Sequence, residues 1–155
     1  IAMKKIFLFI ILIIFTISCS SSSSSKQVII GHIENNSEYR GGANPPDFLL
    51  EELAVYKPSA NQTFFVRNAA NYEPFVPIIT SFSTDANGNF SIDLPEGNYA
   101  VICQDKYDFE QNPQATIECD YLAEPDFTLT ITNGQQNYNL QYTNKRNNCT
   151  ETLPN

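Results

Sequence analysis

The stretch STDANGNFSIDLPEGNYAV, residues 83–101, decides the fold of this chain. Apolar and polar residues alternate strictly from residue 89 to residue 94, and this period of two gives a strand one buried and one wet face. The dipeptide Asn87-Gly88 precedes the run, and both residues tolerate the positive φ of tight hairpin turns. A proline-led turn at 94–97, with a glycine available for the left-handed position, follows it. The stretch therefore predicts strands joined by tight hairpin turns.

Similar segments occur on both sides of this stretch. The predicted strands are 27–34, 62–68, 78–84, 89–94, 98–104, 127–132 and 137–142. Residues 49–57 could begin as a helix, but Val55, Tyr56 and Pro58 favour a strand there. The Asn-Gly-Gln turn at 133–135 is expected to close a hairpin between the last two strands. After the N-terminal apolar run no segment has a sustained helical period, so we expect an all-β, antiparallel sandwich of about seven strands.

The N-terminus predicts export. Two lysines at 4–5 precede a wholly apolar run at 6–14, which is shorter than the roughly 20 residues of a membrane span but fits a secretory signal. The run Phe-Thr-Ile-Ser-Cys at 15–19 resembles a bacterial lipobox, although a threonine stands where leucine is usual. The resemblance implies that residues 1–18 are a cleaved lipoprotein signal peptide and that Cys19 receives a diacylglyceryl group. An ordinary signal peptide, with Cys19 a chance residue, is the alternative.

A serine-rich segment follows the lipidation site. Residues 19–26 contain the unbroken run Ser20–Ser25, which has no apolar side chain whose burial could offset the entropy of ordering it. We expect a flexible tether there. A serine directly after the lipid-bearing cysteine resembles the sorting pattern for an outer-membrane address in a Gram-negative host. The folded domain is then expected over 27–143, with 144–155 as a C-terminal tail.

The charge balance is strongly acidic, with 17 Asp and Glu against 9 Lys and Arg and a net charge of −8. Removal of residues 1–18 would take away two lysines and no acidic residue, leaving seven basic against seventeen acidic residues and a net charge of −10. Such a surface repels nucleic acid and anionic lipid head groups. We therefore expect no nucleic-acid partner, and attachment to a membrane through the lipid on Cys19 rather than through a basic patch.

Residues 83–101 also resemble a known family, the carboxypeptidase-regulatory-like domains, which share a transthyretin-like (prealbumin-like) β-sandwich. The family pattern is a Thr-Asp-x-x-Gly-x-Phe hairpin followed by a Pro-x-Gly-x-Tyr turn. The matching positions are Thr84, Asp85, Gly88, Phe90, Pro95, Gly97 and Tyr99. The resemblance covers roughly 27–142, is specific only over 83–101, and implies a domain without activity of its own. Residues 57–77 and 104–126 look inserted relative to the family.

Residues that could carry catalysis are scarce. His32 is the one histidine of the sequence, so a histidine-based zinc site or a Ser-His-Asp triad has a single candidate. A histidine of the first strand is the simpler interpretation. The pair at 41–42 lacks the lysine and the strand-to-helix setting of a phosphate-binding loop. We therefore expect no enzymatic activity.

The acidic segment 105–126 is the candidate ligand site. Carboxylates gathered on a loop can coordinate calcium through six to eight oxygens, but the spacing here matches no EF-hand, and a solvated loop explains it more simply. No metal or other cofactor is therefore expected. The residues that would take part in a calcium site are Asp105, Asp108, Glu118 and Asp120. Tyr107, Phe109 and Tyr121 lie on the same segment and could instead form a contact patch for another protein.

Three cysteines follow Cys19. In an exported protein Cys103, Cys119 and Cys149 suggest one disulfide and one leftover thiol, and three pairings are open. Cys103 shares a strand face with its apolar neighbours, which makes a buried free thiol reasonable and leaves Cys119 and Cys149 as the pair. A disulfide that uses Cys103 is the alternative.

These features together predict a non-catalytic outer-membrane lipoprotein. We expect an accessory or structural subunit that docks onto a larger protein complex of the cell envelope, since the chain combines a tether, large loops and no catalytic set. The alternative is a module that binds calcium or a glycan through the loop 105–126.

Overall fold

The computed structural model of the chain describes residues 25–42, 44–111 and 120–145. Within them the strands are β1 (Gln27–Ser37), β2 (Lys57–Pro58), β3 (Thr63–Asn68), β4 (Thr80–Ser83), β5 (Asn89–Leu94), β6 (Gly97–Cys103), β7 (Phe127–Ile131) and β8 (Asn137–Asn144). The helices of the same residues are α1 (Asp47–Ala54), α2 (Gln104–Glu110) and α3 (Asp120–Ala123), with a 3-10 turn at Ala69–Asn71. The chain is thus mostly β, as the alternation predicts.

The strands form two four-stranded sheets that pack as a β-sandwich. In the first sheet β8 runs parallel along one edge of β1, while β5 and β2 pair antiparallel with successive parts of its other edge. The second sheet has the order β4-β3-β6-β7, with antiparallel pairs throughout. The antiparallel prediction therefore holds for every pair of described strands except β1 with β8.

The core lies between the two sheets and is built from the alternating apolar residues. Its buried members are Ile29, Ile33, Phe64, Val66, Phe82, Phe90, Ile92, Leu94, Tyr99, Val101, Cys103, Leu129, Ile131, Tyr138 and Tyr142. The ring of Phe64 stacks on Phe82 with centroids 5.4 Å apart and meets Tyr142 edge-on at 5.8 Å. Because Tyr142 belongs to the first sheet and the other two rings to the second, aromatic packing of this kind joins the sheets directly.

The three tight turns lie where the sequence predicts them, but the hairpin prediction was wrong at each. The connections β4–β5, β5–β6 and β7–β8 all cross from one sheet to the other. A turn signal is local, whereas the sheet that the next strand joins depends on which neighbour buries its apolar face. Antiparallel neighbours in the second sheet are instead joined by the long connections β3–β4 and β6–β7.

A helix replaces the strand that was favoured for residues 49–57. Helix α1 has the sequence DFLLEELA, in which leucine, glutamate and alanine are good helix formers. Val55 and Tyr56, which favoured the strand, follow the helix, and pairing resumes only at β2. The acidic segment contains helices α2 and α3, so describing it as a loop was also wrong.

The turn from β4 to β5 is held by side chains of the sequence motif. Asp85 Oδ1 accepts hydrogen bonds from the backbone N–H groups of Asn87 and Asn89, at 2.8 and 2.9 Å. These bonds, and above all the one from the Asn89 side chain, lower the pKa of Asp85. The hydroxyl of buried Thr84 donates to the backbone carbonyl of Ser59, and so ties the turn to the segment after β2.

Gly88 is the crowded position of this turn. It has φ +81°, and a Cβ there would lie 2.6 Å from the Ile33 carbonyl oxygen. That carbonyl belongs to β1, whose Ile33 N–H donates to the Gly88 oxygen at 2.9 Å. The turn therefore needs glycine both for its backbone conformation and for its close approach to β1.

We expect Gly88→Ala to cost clearly more stability than Gly134→Ala. Gly134 has φ +83° and open space around a built Cβ, so alanine there should cost only the left-handed penalty of about 1–2 kcal/mol. At Gly88 the clash should add roughly 1–3 kcal/mol. Chemical denaturation of the two variants measures the difference, and equal losses would contradict the crowded turn.

Candidate functional site

The later part of the segment 57–77, from the 3-10 turn onward, and helix α2 of the segment 104–126 pack on the outer face of the β4-β3-β6-β7 sheet, opposite the core. Residues 57–58 and 63–68 of the first segment are instead strands of the two sheets themselves. The ring of Phe65, on β3, stacks on Tyr107 of α2 with centroids 4.0 Å apart. Tyr72, which follows the 3-10 turn, donates its hydroxyl to the Leu122 carbonyl at 3.2 Å. Burial, with the charge of Glu110 next, raises the pKa of Tyr72, so this hydroxyl stays protonated and remains a donor. The two segments are therefore joined to each other as well as to the sheet.

A buried ion pair fixes α2 to β3. Arg67 Nη1 and Nη2 donate to Glu110 Oε1 and Oε2 at 2.8 and 2.5 Å, and the two side chains are 2% and 0% exposed. Such a fork-to-fork pair is directional as well as charged. Removing one partner of a buried pair leaves an uncompensated charge and costs about 3–5 kcal/mol.

A second buried pair fixes the other end of the acidic segment. Lys106 Nζ lies 3.0 Å from Asp126 Oδ1, donates to the Glu124 carbonyl at 2.8 Å, and sits 4.8 Å from the ring centroid of Tyr121. Asp126 Oδ2 accepts from the backbone N–H of Cys103 at 2.7 Å. The described part of the acidic segment therefore covers the sheet. Some of its charged side chains are paired within the protein rather than exposed to solvent.

The carboxylates proposed for calcium do not form a site in the described residues. Asp105 and Asp108 are exposed on α2, where Asp108 accepts a hydrogen bond from Gln104, and Asp120 is exposed on α3. Residues 25–42, 44–111 and 120–145 contain no group of three His, Cys, Asp or Glu side chains that could hold a metal ion. Glu118 lies outside the described residues.

A depression lies where the two inserted segments meet. It has a volume of about 320 Å³ and is lined by Arg67, Phe75, Val76, Pro77, Ile78, Tyr107, Glu110 and Gln111. Arg67 is 1% exposed, and its Nε is buried without a hydrogen-bond partner among the described residues. A buried donor left unsatisfied costs about 1–3 kcal/mol. Sequence patterns could not have found this site, because residues distant in the chain create it.

The rim of the depression carries a strained residue. Phe75 has φ +69°, a conformation that bulky residues rarely adopt, and its side chain is 45% exposed. It is the third residue of a turn in which the Val76 N–H donates to the Glu73 carbonyl at 3.4 Å. With Pro74 second, this matches a type II turn, whose third position favours glycine. Strain of this kind clusters at functional sites.

We expect Phe75→Gly to be more stable than Phe75→Ala by about 1 kcal/mol, because only alanine keeps a Cβ at positive φ. Both variants remove the same ring, so the comparison isolates the backbone. At ordinary positions alanine is the more stabilising of the two residues. Urea denaturation measures the order, and a more stable alanine variant would contradict the left-handed backbone at position 75.

Helix α1 presents an apolar surface of a different kind. None of its residues is buried, and Phe48 and Leu50 are 69% and 45% exposed. No side chain caps its N-terminus, and Asn36 on β1 donates to the Ala54 carbonyl at 3.4 Å. Sequence reasoning missed this surface; Pro46 followed by Asp47 is the helix-start signal that could have found it. Within the described residues no helix has both the length and the hydrophobicity to cross a membrane.

The remaining motif residues serve the fold. Phe90 and Tyr99 lie in the core, and the Tyr99 hydroxyl donates to the Pro95 carbonyl at 3.0 Å across the turn from β5 to β6. Gly97 takes φ +156° in that turn. His32 lies on the outer face of the first sheet, with its ring nitrogens 3.3 Å from Asn89 Oδ1 and 3.7 Å from a Glu34 oxygen.

Cys103 is a free, buried thiol in the core. Burial, and then the nearby charge of Asp126, raises the pKa of the Cys103 thiol to about 12, so the reactive thiolate is scarce at neutral pH. Cys19, Cys119 and Cys149 lie outside the described residues, and the pairing of the last two stays a prediction.

Comparisons with known proteins give only distant similarity. No family model and no curated protein matches the sequence. The N-terminal domain of the shaft pilin SpaA from Lactobacillus rhamnosus GG is 15% identical with a TM-score of 0.41, over 78% of this chain and 96% of that one. A variant of BcpA, the major pilin subunit of Bacillus cereus, is 13% identical with a TM-score of 0.40, over 76% and 30%. A DUF3823 family protein from Parabacteroides merdae is 15% identical with a TM-score of 0.34, over 79% and 46%. The chain thus spans less than half the length of the BcpA variant and of the DUF3823 family protein.

Proposed function

We propose that this chain is a non-catalytic, lipid-anchored accessory subunit of the bacterial outer membrane, which docks onto a larger envelope protein through α1. The two exposed apolar side chains of α1, Phe48 and Leu50, are the observation that carries the proposal. Because they are two residues apart, they lie on opposite flanks of the helix, and a partner would have to enclose both. Helices shorter than about 12–15 residues are marginal in water without tertiary packing, and α1 has eight residues and no buried side chain. Burying Phe48 and Leu50 against a partner would supply about 1.5–3 kcal/mol for each side chain.

The position of α1 suits this role. In the proposed arrangement the lipid is on Cys19, and the serine tether leads into β1 at Gln27. Helix α1 accepts a hydrogen bond from Asn36, near the other end of β1. At about 3.3 Å per residue, these two ends of the strand are roughly 30 Å apart. The apolar surface therefore lies at the end of the sandwich far from the tether.

Charge indicates what kind of partner fits. The ionisable residues of α1 are Asp47, Glu51 and Glu52, all acidic. A second copy of this chain would bring the same charges together, which opposes self-association. We therefore propose a different protein as partner, with an apolar groove flanked by lysine or arginine.

The family and the disulfide belong to the same proposal. We propose that the domain is a carboxypeptidase-regulatory-like one, supported by the roles of Thr84, Asp85 and Tyr99 in turns that cross between the sheets. Burial of Cys103 as a free thiol supports the pair Cys119–Cys149.

Docking through α1 predicts that Phe48→Gln with Leu50→Gln removes partners that co-purify with the full-length protein in mild detergent. Glutamine keeps the helix propensity of these positions and removes their apolar surface. Val28→Thr with Ile30→Thr is the matched control, because these residues are 54% and 47% exposed on the outer face of the first sheet. Mass spectrometry of the eluted complexes reads out the partners.

The control variant should retain the wild-type partner set, and both variants should unfold at the wild-type temperature. Retention of the same stoichiometric partners by the α1 variant would contradict docking through α1. A wild-type protein that elutes alone would contradict the accessory-subunit function itself.

Lipid anchoring predicts that Cys19→Ala abolishes metabolic labelling with palmitate and leaves the precursor uncleaved, since the thioether forms on that sulfur. Cys149→Ala is the control and should label like the wild type. Fractionation of the labelled cells should place the wild-type protein in the outer membrane. Unchanged labelling of the Cys19 variant would show that the lipobox resemblance misleads.

A ligand-binding module remains the second candidate function. The observation that favours it is the depression with its unsatisfied Arg67 Nε, rather than the carboxylates of the acidic segment.

A further inference from the structure

We propose that the depression beside Arg67 binds a short, uncharged peptide segment of another protein. One apolar side chain of the segment would pack against the wall 75–78, and a backbone carbonyl would accept a hydrogen bond from Arg67 Nε–H. This site lies outside α1 and goes beyond the docking proposed above, so either proposal can fail alone.

The chemistry of Arg67 specifies an acceptor. Its two terminal nitrogens are occupied by Glu110, at 2.8 and 2.5 Å. A guanidinium has five N–H donors, and Nε is the one nitrogen of the three from which, in the described part of the chain, nothing accepts. Because the side chain is 2% exposed, an acceptor has to enter the depression to reach it.

The electrostatics of the depression favour an uncharged ligand. The charge of Arg67 is already compensated by Glu110, whose oxygens accept from both terminal nitrogens. An anion would gain little from a compensated arginine and would meet a chain of net charge −8. A cation would find the carboxylate occupied and would lose its own hydration.

The walls favour a peptide over a sugar. The segment 75–78 contributes Phe75, Val76, Pro77 and Ile78, and α2 contributes Tyr107. A sugar ring needs several polar partners for its hydroxyls. Arg67 and Glu110 are already paired with each other, which leaves the Gln111 amide and the Tyr107 hydroxyl among the described lining residues. A volume of about 320 Å³ is at the small end of binding pockets, which suits one side chain and its carbonyl. The half-exposed ring of Phe75 has surface left to bury.

The test observes the Nε–H of Arg67 directly by NMR on the full-length, ¹⁵N-labelled protein in mild detergent. The probe is N-acetyl-leucinamide, which is uncharged and offers one apolar side chain and two carbonyls. The signal of Arg67 should move downfield and saturate as the probe is added. N-acetyl-leucine, which carries a carboxylate, should bind more weakly, and N-acetylglucosamine should leave the signal in place.

Arg67→Lys identifies the signal by its disappearance and supplies the decisive variant. Lysine keeps a positive charge beside Glu110 and lacks the Nε–H, so affinity for the probe, followed on the backbone amides of Phe75, Val76 and Ile78, should fall about tenfold. If this variant fails to fold, Phe75→Gly serves in its place, and loss of its ring should weaken binding. The α1 variant, Phe48→Gln with Leu50→Gln, should bind like the wild type.

Several results would overturn the proposal. An Arg67 signal that stays fixed up to the solubility limit of N-acetyl-leucinamide would show that the depression binds no such segment. Equal movement with N-acetylglucosamine would assign the site to a sugar, and stronger movement with N-acetyl-leucine to an anion. Unchanged affinity in Arg67→Lys would show that Nε is not a contact. None of these results bears on partner capture by α1.

Discussion

The first sheet depends on β1, because its other three strands pair with β1 and not with one another. β1 lies very close to its neighbours β8 and β5 at Gly31. A Cβ at this position would lie 2.4 Å from the Tyr138 carbonyl oxygen and 2.6 Å from the Phe90 ring. A larger residue would push β1 away from β8 or displace a core ring. β1 also separates two parts of the chain, since Gln27 is its first residue and α1 is hydrogen-bonded to Asn36 near its other end. Any force that acts between a membrane tether and α1 would therefore pass along a single, centrally paired strand.

The sequence predicted the strands well and their partners poorly, for one physical reason. Alternation of apolar and polar residues reports which face of a strand is buried, and this held for β4, β5, β7 and β8, whereas β6 is buried on both faces. It does not report which sheet a strand joins, so turns such as Asp85–Gly88 were mistaken for hairpins. Helix α1 was missed because Val55 and Tyr56, just beyond it, carry strong β preference. The depression was beyond reach because Arg67 and Glu110 are charged, and charged residues in a sequence usually indicate solvent.

Helix α2 is held on the second sheet by charged pairs, although apolar side chains could hold it there as well. Buried pairs such as Arg67 with Glu110 often add little net stability, because desolvation offsets their attraction. We interpret them as devices that fix geometry. An apolar α2 could slide over Phe65, whereas a two-bond fork admits one position of the helix. The same requirement explains why the Nε–H has no acceptor among the described residues: rotating the guanidinium toward one of them would break the fork. An open donor is thus a consequence of holding the inserted segments in register.

Anchoring changes how strong the proposed contacts need to be. Seven residues separate Cys19 from Gln27, which makes eight Cα–Cα steps, so the proposed tether would reach at most about 28 Å even when extended. A partner in the same membrane would meet the domain at an effective concentration that short flexible linkers commonly bring to the millimolar range. Burial of two side chains of α1, worth only a few kcal/mol, would be too weak in free solution but sufficient under these conditions. The small size of the α1 contact and of the depression beside Arg67 is therefore no argument against docking. It is what a subunit already confined to the membrane would need.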